Sequence, residues 1–254
     1  MYLAPLAFVI YLKLFNDQKN RIVLGTEVTF RTVLLFPALL VMTSTTALAP
    51  ALASTQCPLK PLNVEVSLDA DEGELVFHND LDRYDLERLR REKTAKSLKK
   101  NWWPVGFTVA EKHFNLTSHA KVVALGAQQF CGVLRKVAIK LEFSRIDVYV
   151  SSEFRPGSCP YKETLAHENI HVSIFRNTLK RYSALIRTEL ERAVQVSEAA
   201  SGSNPQEVVD ELQRRVKNRI DPYFQQFERD QKEANAAIDT PENYRQEQLK
   251  CPLW

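Results

Sequence analysis

The sequence predicts an α+β fold: a small, mostly antiparallel sheet packs on one long helix, and that helix is followed by a partner that folds back as an antiparallel helical hairpin. Three observations predict it. Between Val105 and Phe154, β-branched and aromatic residues alternate with polar ones; from Tyr161 to Ser201 no Gly or Pro interrupts a helical apolar period; and beyond Gly202-Ser-Asn-Pro205 the same period resumes.

The chain opens with a stretch that reads as export machinery rather than as part of a fold. Arg31 precedes the uncharged run Thr32-Val-Leu-Leu-Phe-Pro-Ala-Leu-Leu-Val-Met42, and Ala51-Leu52-Ala53 fits an A-x-A cleavage site. Residues 1–53 are therefore expected to be an N-terminal extension and signal peptide, cleaved after Ala53, with 54–254 the exported domain, periplasmic or secreted. A retained membrane anchor is the alternative, which Pro37, Pro50 and the Ser/Thr-rich middle weaken. On this reading the membrane is touched only through an uncleaved N-terminal segment. Beyond Ala53 basic and acidic residues nearly balance, and nothing global suggests a nucleic-acid partner.

Within the domain, Leu62–Leu68 and Glu74–His78 alternate around the acidic Asp69–Gly73, which predicts a β-hairpin. Asp80 or Asp82 can cap a helix running through Leu86, Leu89 and Leu98 to about Lys100, whose Arg and Lys residues read as a solvated face. Strands are expected at Gly106–Val109, Ala120–Leu125, Lys136–Phe143 and Ile146–Val150, the last two neighbouring and joined by a turn at Ser144-Arg145. The long helix, about Pro160–Ala199, carries the stripe Ile170, Ile174, Tyr182, Ile186, Leu190 and Ala193; the second carries Val209, Leu212, Val216, Ile220, Phe224 and Phe227. Asp221-Pro222 signals a kink or a fresh start inside it.

The chemistry concentrates at the start of the long helix, in Ser158-Cys-Pro-Tyr-Lys-Glu-Thr-Leu-Ala-His167-Glu168-Asn169-Ile170-His171. On a helix, the H-E-x-x-H spacing puts His167 and His171 on one face within reach of one cation, with Glu168 beside them as base. A catalytic zinc takes a third protein ligand. Glu191 stands at a tempting spacing but lies roughly 30 Å along the same helix from His171. Folding back at Gly202 brings the window near 233–240 opposite the histidines, so Glu233 is the first choice, Asp239 the alternative, and Asp230 or Glu191 come behind; Asn235, Tyr161 and Tyr244 are expected nearby. His78, His113 and His119 read as surface or satisfied histidines.

Four cysteines in an exported chain predict two disulfides, and no two are close enough in sequence for a Cys-x-x-Cys knuckle. The same folding-back brings the C-terminal tail to the start of the motif helix, which pairs Cys159 with Cys251 and leaves Cys57 for Cys131.

The export signal, the strand pair, the Ser-Cys-Pro-Tyr lead into His167-Glu-Asn-Ile-His171 and the long helices after it resemble a bacterial family of predicted secreted zinc-dependent proteases, and more broadly the zincin metalloproteases. The resemblance is close over about Ile146–Leu190. It implies a zincin-like fold, one Zn²⁺ on His167 and His171, Glu168 as catalytic base, and an edge strand just before the motif helix. Neither a thermolysin-type second motif nor the third histidine of metzincins follows His171, so substrate and third ligand do not transfer. The expected function is an exported zinc metallopeptidase that hydrolyses peptide bonds with a metal-activated water and Glu168 as general base. Its peptide or protein substrate would bind extended along Ile146–Val150. The alternative is a non-catalytic envelope protein with a structural or vestigial metal site and a helical interaction surface.

Overall fold

A computed structural model describes residues 9–12, 57–60, 63–94 and 103–252. The apolar run of the predicted signal, its cleavage point and the predicted end of the first helix lie outside these, whereas Val9–Leu12, expected to belong to an N-terminal extension outside the fold, form a strand. The elements run β1 (Val9–Leu12), β2 (Glu65–Asp71), β3 (Glu74–His78), α1 (Arg83–Thr94), β4 (Gly106–Gly126), β5 (Gln129–Val150), α2 (Cys159–Gln195), β6 (Ala200–Gly202), α3 (Pro205–Ile238) and α4 (Pro241–Leu249).

One mixed sheet holds all the described strands, and it corrects the expectation of a mostly antiparallel one. β1 runs parallel to β4, and β2 and β3 run parallel to β5; only β4 with β5 and β5 with β6 are antiparallel. The predicted hairpin over 62–78 is the source of the difference. β2 and β3 do not pair with each other; Asp71 faces Glu142 and Glu74 faces Arg145, so they form two halves of one line along β5. The turn residues between them make a kink instead. Gly73 has φ +75°, its N–H donates to Asp71 Oδ1 at 2.9 Å, and a Cβ there would stand 2.2 Å from the carbonyl oxygen of Phe143. Gly73→Ala is accordingly expected to cost about 1–3 kcal/mol, read as a lower urea midpoint.

At Ser144-Arg145, where a turn is expected, the chain again only kinks. β5 passes straight through: Phe143 faces Lys112 and Arg145 faces Glu111, which leaves Ser144 bulged out. The two expected strands are therefore one. Gly106–Val109 and Ala120–Leu125 likewise belong to a single β4, which meets β5 at a tight turn where Gln128 takes φ 55°.

α2 and α3 form the predicted hairpin. Ser158 caps α2 by accepting from Tyr161 N, Asn204 caps α3 by accepting from Glu207 N, and each helix has proline in its first turn. Their antiparallel seam is traced by His171 against Asn235, Gln231 against Thr178 and Tyr223 against Glu189. The inward stripe of α2 is Val172, Phe175, Leu179, Tyr182, Ile186 and Leu190. Ile170, expected in that stripe, is 45% exposed because Glu168, His171 and Val172 take the inward positions of its turn. The core closes with Phe143 on Phe175 (5.6 Å between ring centroids) and Tyr182 on Phe227 (5.5 Å).

α3 continues through Pro222 without a fresh start. The proline is exposed, so the carbonyl that loses its donor faces water, while buried Ile220 and Phe227 hold the helix on either side. On α1 the basic face divides: Arg88 pairs with Asp85 in solvent, whereas Arg90 is buried in a bidentate pair with Glu87. The two disulfides are Cys57–Cys131 and Cys159–Cys251, as the sequence predicts. The second ties α4, capped by Thr240, to the start of α2.

Candidate metal centre

The third and fourth turns of α2 carry His167, Glu168 and His171, with 2%, 0% and 1% of their surfaces exposed. While Glu168 turns to Thr108 on β4, the one-turn spacing of the histidines puts both under the returning α3. There, Gln231, Asn235 and Asp239 repeat every four residues, so one face of α3 and its C-cap look back at the histidines. His167 Nε2 and His171 Nε2 each stand 3.2 Å from Asp239 Oδ1. The three residues offer ligand atoms that all lie within 4.8 Å of one another.

Asp239 takes the position for which Glu233 is the first choice on sequence. Glu233 is exposed, because it is out of phase with the inward Gln231 and Asn235. Asp230 is engaged by Arg181 and by the hydroxyl of Tyr182, and Glu191 is exposed far along α2. His78 is bound to Asp147 and stacked on Tyr149, and neither His113 nor His119 belongs to the group.

The three residues could together hold a metal ion, and the two separations from Asp239 suit a tetrahedral one. Zn–N and Zn–O bonds of about 2.0–2.1 Å make a tetrahedral edge of about 3.3 Å, close to the two 3.2 Å separations from Asp239. The second ring nitrogens are held as well. His167 Nδ1 donates to Glu247 Oε1 at 2.8 Å and His171 Nδ1 to Asn235 Oδ1 at 2.6 Å, which turns each Nε2 toward Asp239. Asn235 is itself steadied through its amide N–H to the Gln231 carbonyl, and Gln231 through Thr178. Tyr244 donates its hydroxyl to Asp239 Oδ1, with its ring 5.2 Å from that of His167.

Electrostatics follow from these contacts. Burial pushes His167 down, but its hydrogen bonds to the Asp239 and Glu247 carboxylates outweigh it and raise the imidazole to about 10. Burial likewise opposes protonation of His171, and Asp239 again prevails and raises it. Asp239 is lowered: burial pushes it up, but the two imidazoles and Tyr244 hold its carboxylate ionised. Each Nε2 facing Asp239 thus sits where positive charge is favoured, whether a proton or a metal ion supplies it. Glu168 is raised, chiefly by complete burial, with His171, His167 and Thr108 opposing. Its Oε2 accepts from Thr108 Oγ1 at 2.6 Å, while Oε1 is buried with no hydrogen-bond partner among the described residues.

Two of these residues escape sequence reasoning. Glu247 belongs to α4, which has too little apolar period to announce itself; the Cys159–Cys251 pairing was the one signal that could have found it, since it draws 247 to the start of α2. Thr108 is an ordinary-looking strand threonine with no signal at all. The extended-substrate site expected along Ile146–Val150 is not available, because that segment has β4 on one side and β3 on the other.

Glu247→Ala is expected to weaken metal binding about 10- to 100-fold, measured by competition with a chromophoric chelator, while Glu233→Ala leaves it unchanged. No family model, curated protein or solved structure matches this chain. The site has to be read from its own chemistry.

Proposed function

We propose that the protein is an exported, zincin-type metallopeptidase that uses one zinc ion held by His167, His171 and Asp239. The observation that carries this reading is Glu168: a wholly buried carboxylate, anchored at Oε2 and unpartnered at Oε1, placed between the two imidazoles in sequence and beside them in space. A structural zinc site closes with four protein ligands, whereas three ligands plus a neighbouring base is the hydrolytic pattern. Two imidazole nitrogens and one carboxylate oxygen suit zinc.

When bound, the ion would supply the Lewis acid that polarises a peptide carbonyl and makes water acidic enough to attack near neutral pH. Glu168 takes the proton of the attacking water at Oε1 and passes it to the leaving amine. Glu247 and Asn235 keep both imidazoles turned toward the ion, and Tyr244 keeps Asp239 oriented. Two disulfides support an oxidising compartment, and no helix among the described residues is long and apolar enough to cross a membrane.

A second reading, a non-catalytic protein with a structural metal, is favoured by how little of the site solvent reaches: the His167, His171 and Asp239 side chains are 1%, 2% and 12% exposed. Purified domain analysed for metal and tested on fluorescein-labelled casein separates the two. The peptidase carries about one zinc per chain and cleaves casein, loses cleavage to 1,10-phenanthroline and regains it with added zinc. A zinc-bearing chain that cleaves neither casein nor a mixed peptide library supports the structural reading, and a chain that takes up no zinc rejects both.

A further inference from the structure

We infer that Thr108 is a positioning residue for the base, selecting which oxygen of Glu168 is free to handle the proton; this rests on the hydrolytic reading above. Thr108 sits on β4, where Phe107 and Val109 turn to the opposite face and pack with Leu89 and Tyr149. On its own face it is 1% exposed, with Ala110 two residues along in the main core and Val148 opposite it on β5, both fully buried. An apolar side chain would suit that place, and a hydroxyl there needs a partner. It has one. Thr108 has a single proton to donate, and the short approach is the 2.6 Å contact to Glu168 Oε2; the backbone carbonyl of Glu168 stands at 3.5 Å.

The strand is a rigid mount. Thr108 is paired with Val148, the third pair from the end of the antiparallel β4–β5 ladder, which the Ser151 N–H extends by donating to the Val105 carbonyl, and its β-branched side chain has few rotamers. Glu168, by contrast, has a long side chain whose terminal carboxyl rotation is soft. Tying Oε2 to the strand removes that freedom and leaves Oε1, the oxygen without a partner, as the one that can accept a proton. A base held within a few tenths of an ångström of its proton is worth far more than one that rotates. Removing the hydroxyl should therefore slow turnover while leaving the metal in place, since the hydrogen bonds of the Thr108 hydroxyl go to Glu168 and not to a ligand atom.

The test compares Thr108→Val, nearly isosteric and without the donor, with Thr108→Ser, which keeps it. Both are loaded with zinc and assayed on a quenched fluorogenic peptide, and the Glu168 side-chain carboxyl is followed by ¹³C NMR. Thr108→Val should bind zinc as the parent does and lose about 10- to 100-fold in kcat with KM within a few-fold, while Thr108→Ser stays near the parent. The Glu168 carboxyl resonance should move in the valine variant only. If Thr108→Val does not fold, Thr108→Ala against Thr108→Ser isolates the hydroxyl, since both lack the methyl group. An unchanged kcat in a zinc-loaded variant lacking the hydroxyl overturns the inference, and an unmoved resonance does so independently of activity. If no peptide is cleaved by the parent yet the resonance moves, the anchor stands and the hydrolytic reading falls.

Discussion

Glu168→Gln should keep its zinc and lose about 10²- to 10⁴-fold in peptide hydrolysis, the range that a general base supplies. The substitution is nearly isosteric and lies on a helix whose two histidines do not depend on it for orientation; Glu247 and Asn235 do that work. The amide oxygen can still accept from Thr108, so the side chain has no reason to swing away. What it loses is the capacity to take a proton. Stability should not fall, because a neutral amide replaces a carboxyl whose ionisation burial already opposes. Metal analysis, thermal melting and peptide cleavage on the same preparation check all three statements. Undiminished zinc-dependent cleavage would remove Glu168 from the mechanism.

Breaking the Cys159–Cys251 bond should have the largest structural effect, and a different one from breaking Cys57–Cys131. The two links span 92 and 74 residues of sequence, so each should cost about 2–5 kcal/mol when both of its cysteines are replaced by serine. Only the first, however, holds α4, which carries the Tyr244 hydroxyl on Asp239 and the Glu247 carboxylate on His167. The exposed Lys250–Glu163 pair is too well solvated to replace it. Zinc affinity should therefore drop at least about 10-fold in Cys159→Ser/Cys251→Ser and stay near the parent in Cys57→Ser/Cys131→Ser. Urea unfolding gives the stability losses, and zinc titration of the folded variants gives the affinities. Equal affinities would mean that α4 holds its place without the bond.

The parts of this molecule legible in sequence are those set within a few turns of chain. Where apolar residues recur every three to four positions without Gly or Pro, a helix forms whatever lies around it, and a histidine four places after another shares its face by geometry alone. The helical hairpin, His167 with Glu168 and His171, and both disulfide pairings follow from such local order and from counting residues on either side of Gly202. Strand direction does not. Gly73 and Ser144 carry turn-like composition, yet each marks a kink in a run that continues, because what separates a kink from a turn is whether the residues beyond it keep the same neighbour, which is β5 beyond Gly73 and β4 beyond Ser144.

The ring of groups around the histidines was decided only in three dimensions. Counting along the hairpin reaches the right window of α3, but choosing Asp239 over Glu233 requires the rotational phase of that helix, which the packing of Phe227, Gln231 and Asn235 against α2 sets. Thr108 and Glu247 come from a strand and a short helix distant in sequence from the motif, and no period or spacing connects them to it. The two histidines were written locally, while Asp239 and the groups that orient the imidazoles were chosen by long-range packing, because an imidazole's position depends on its own backbone and its direction depends on whatever the fold brings to its second nitrogen.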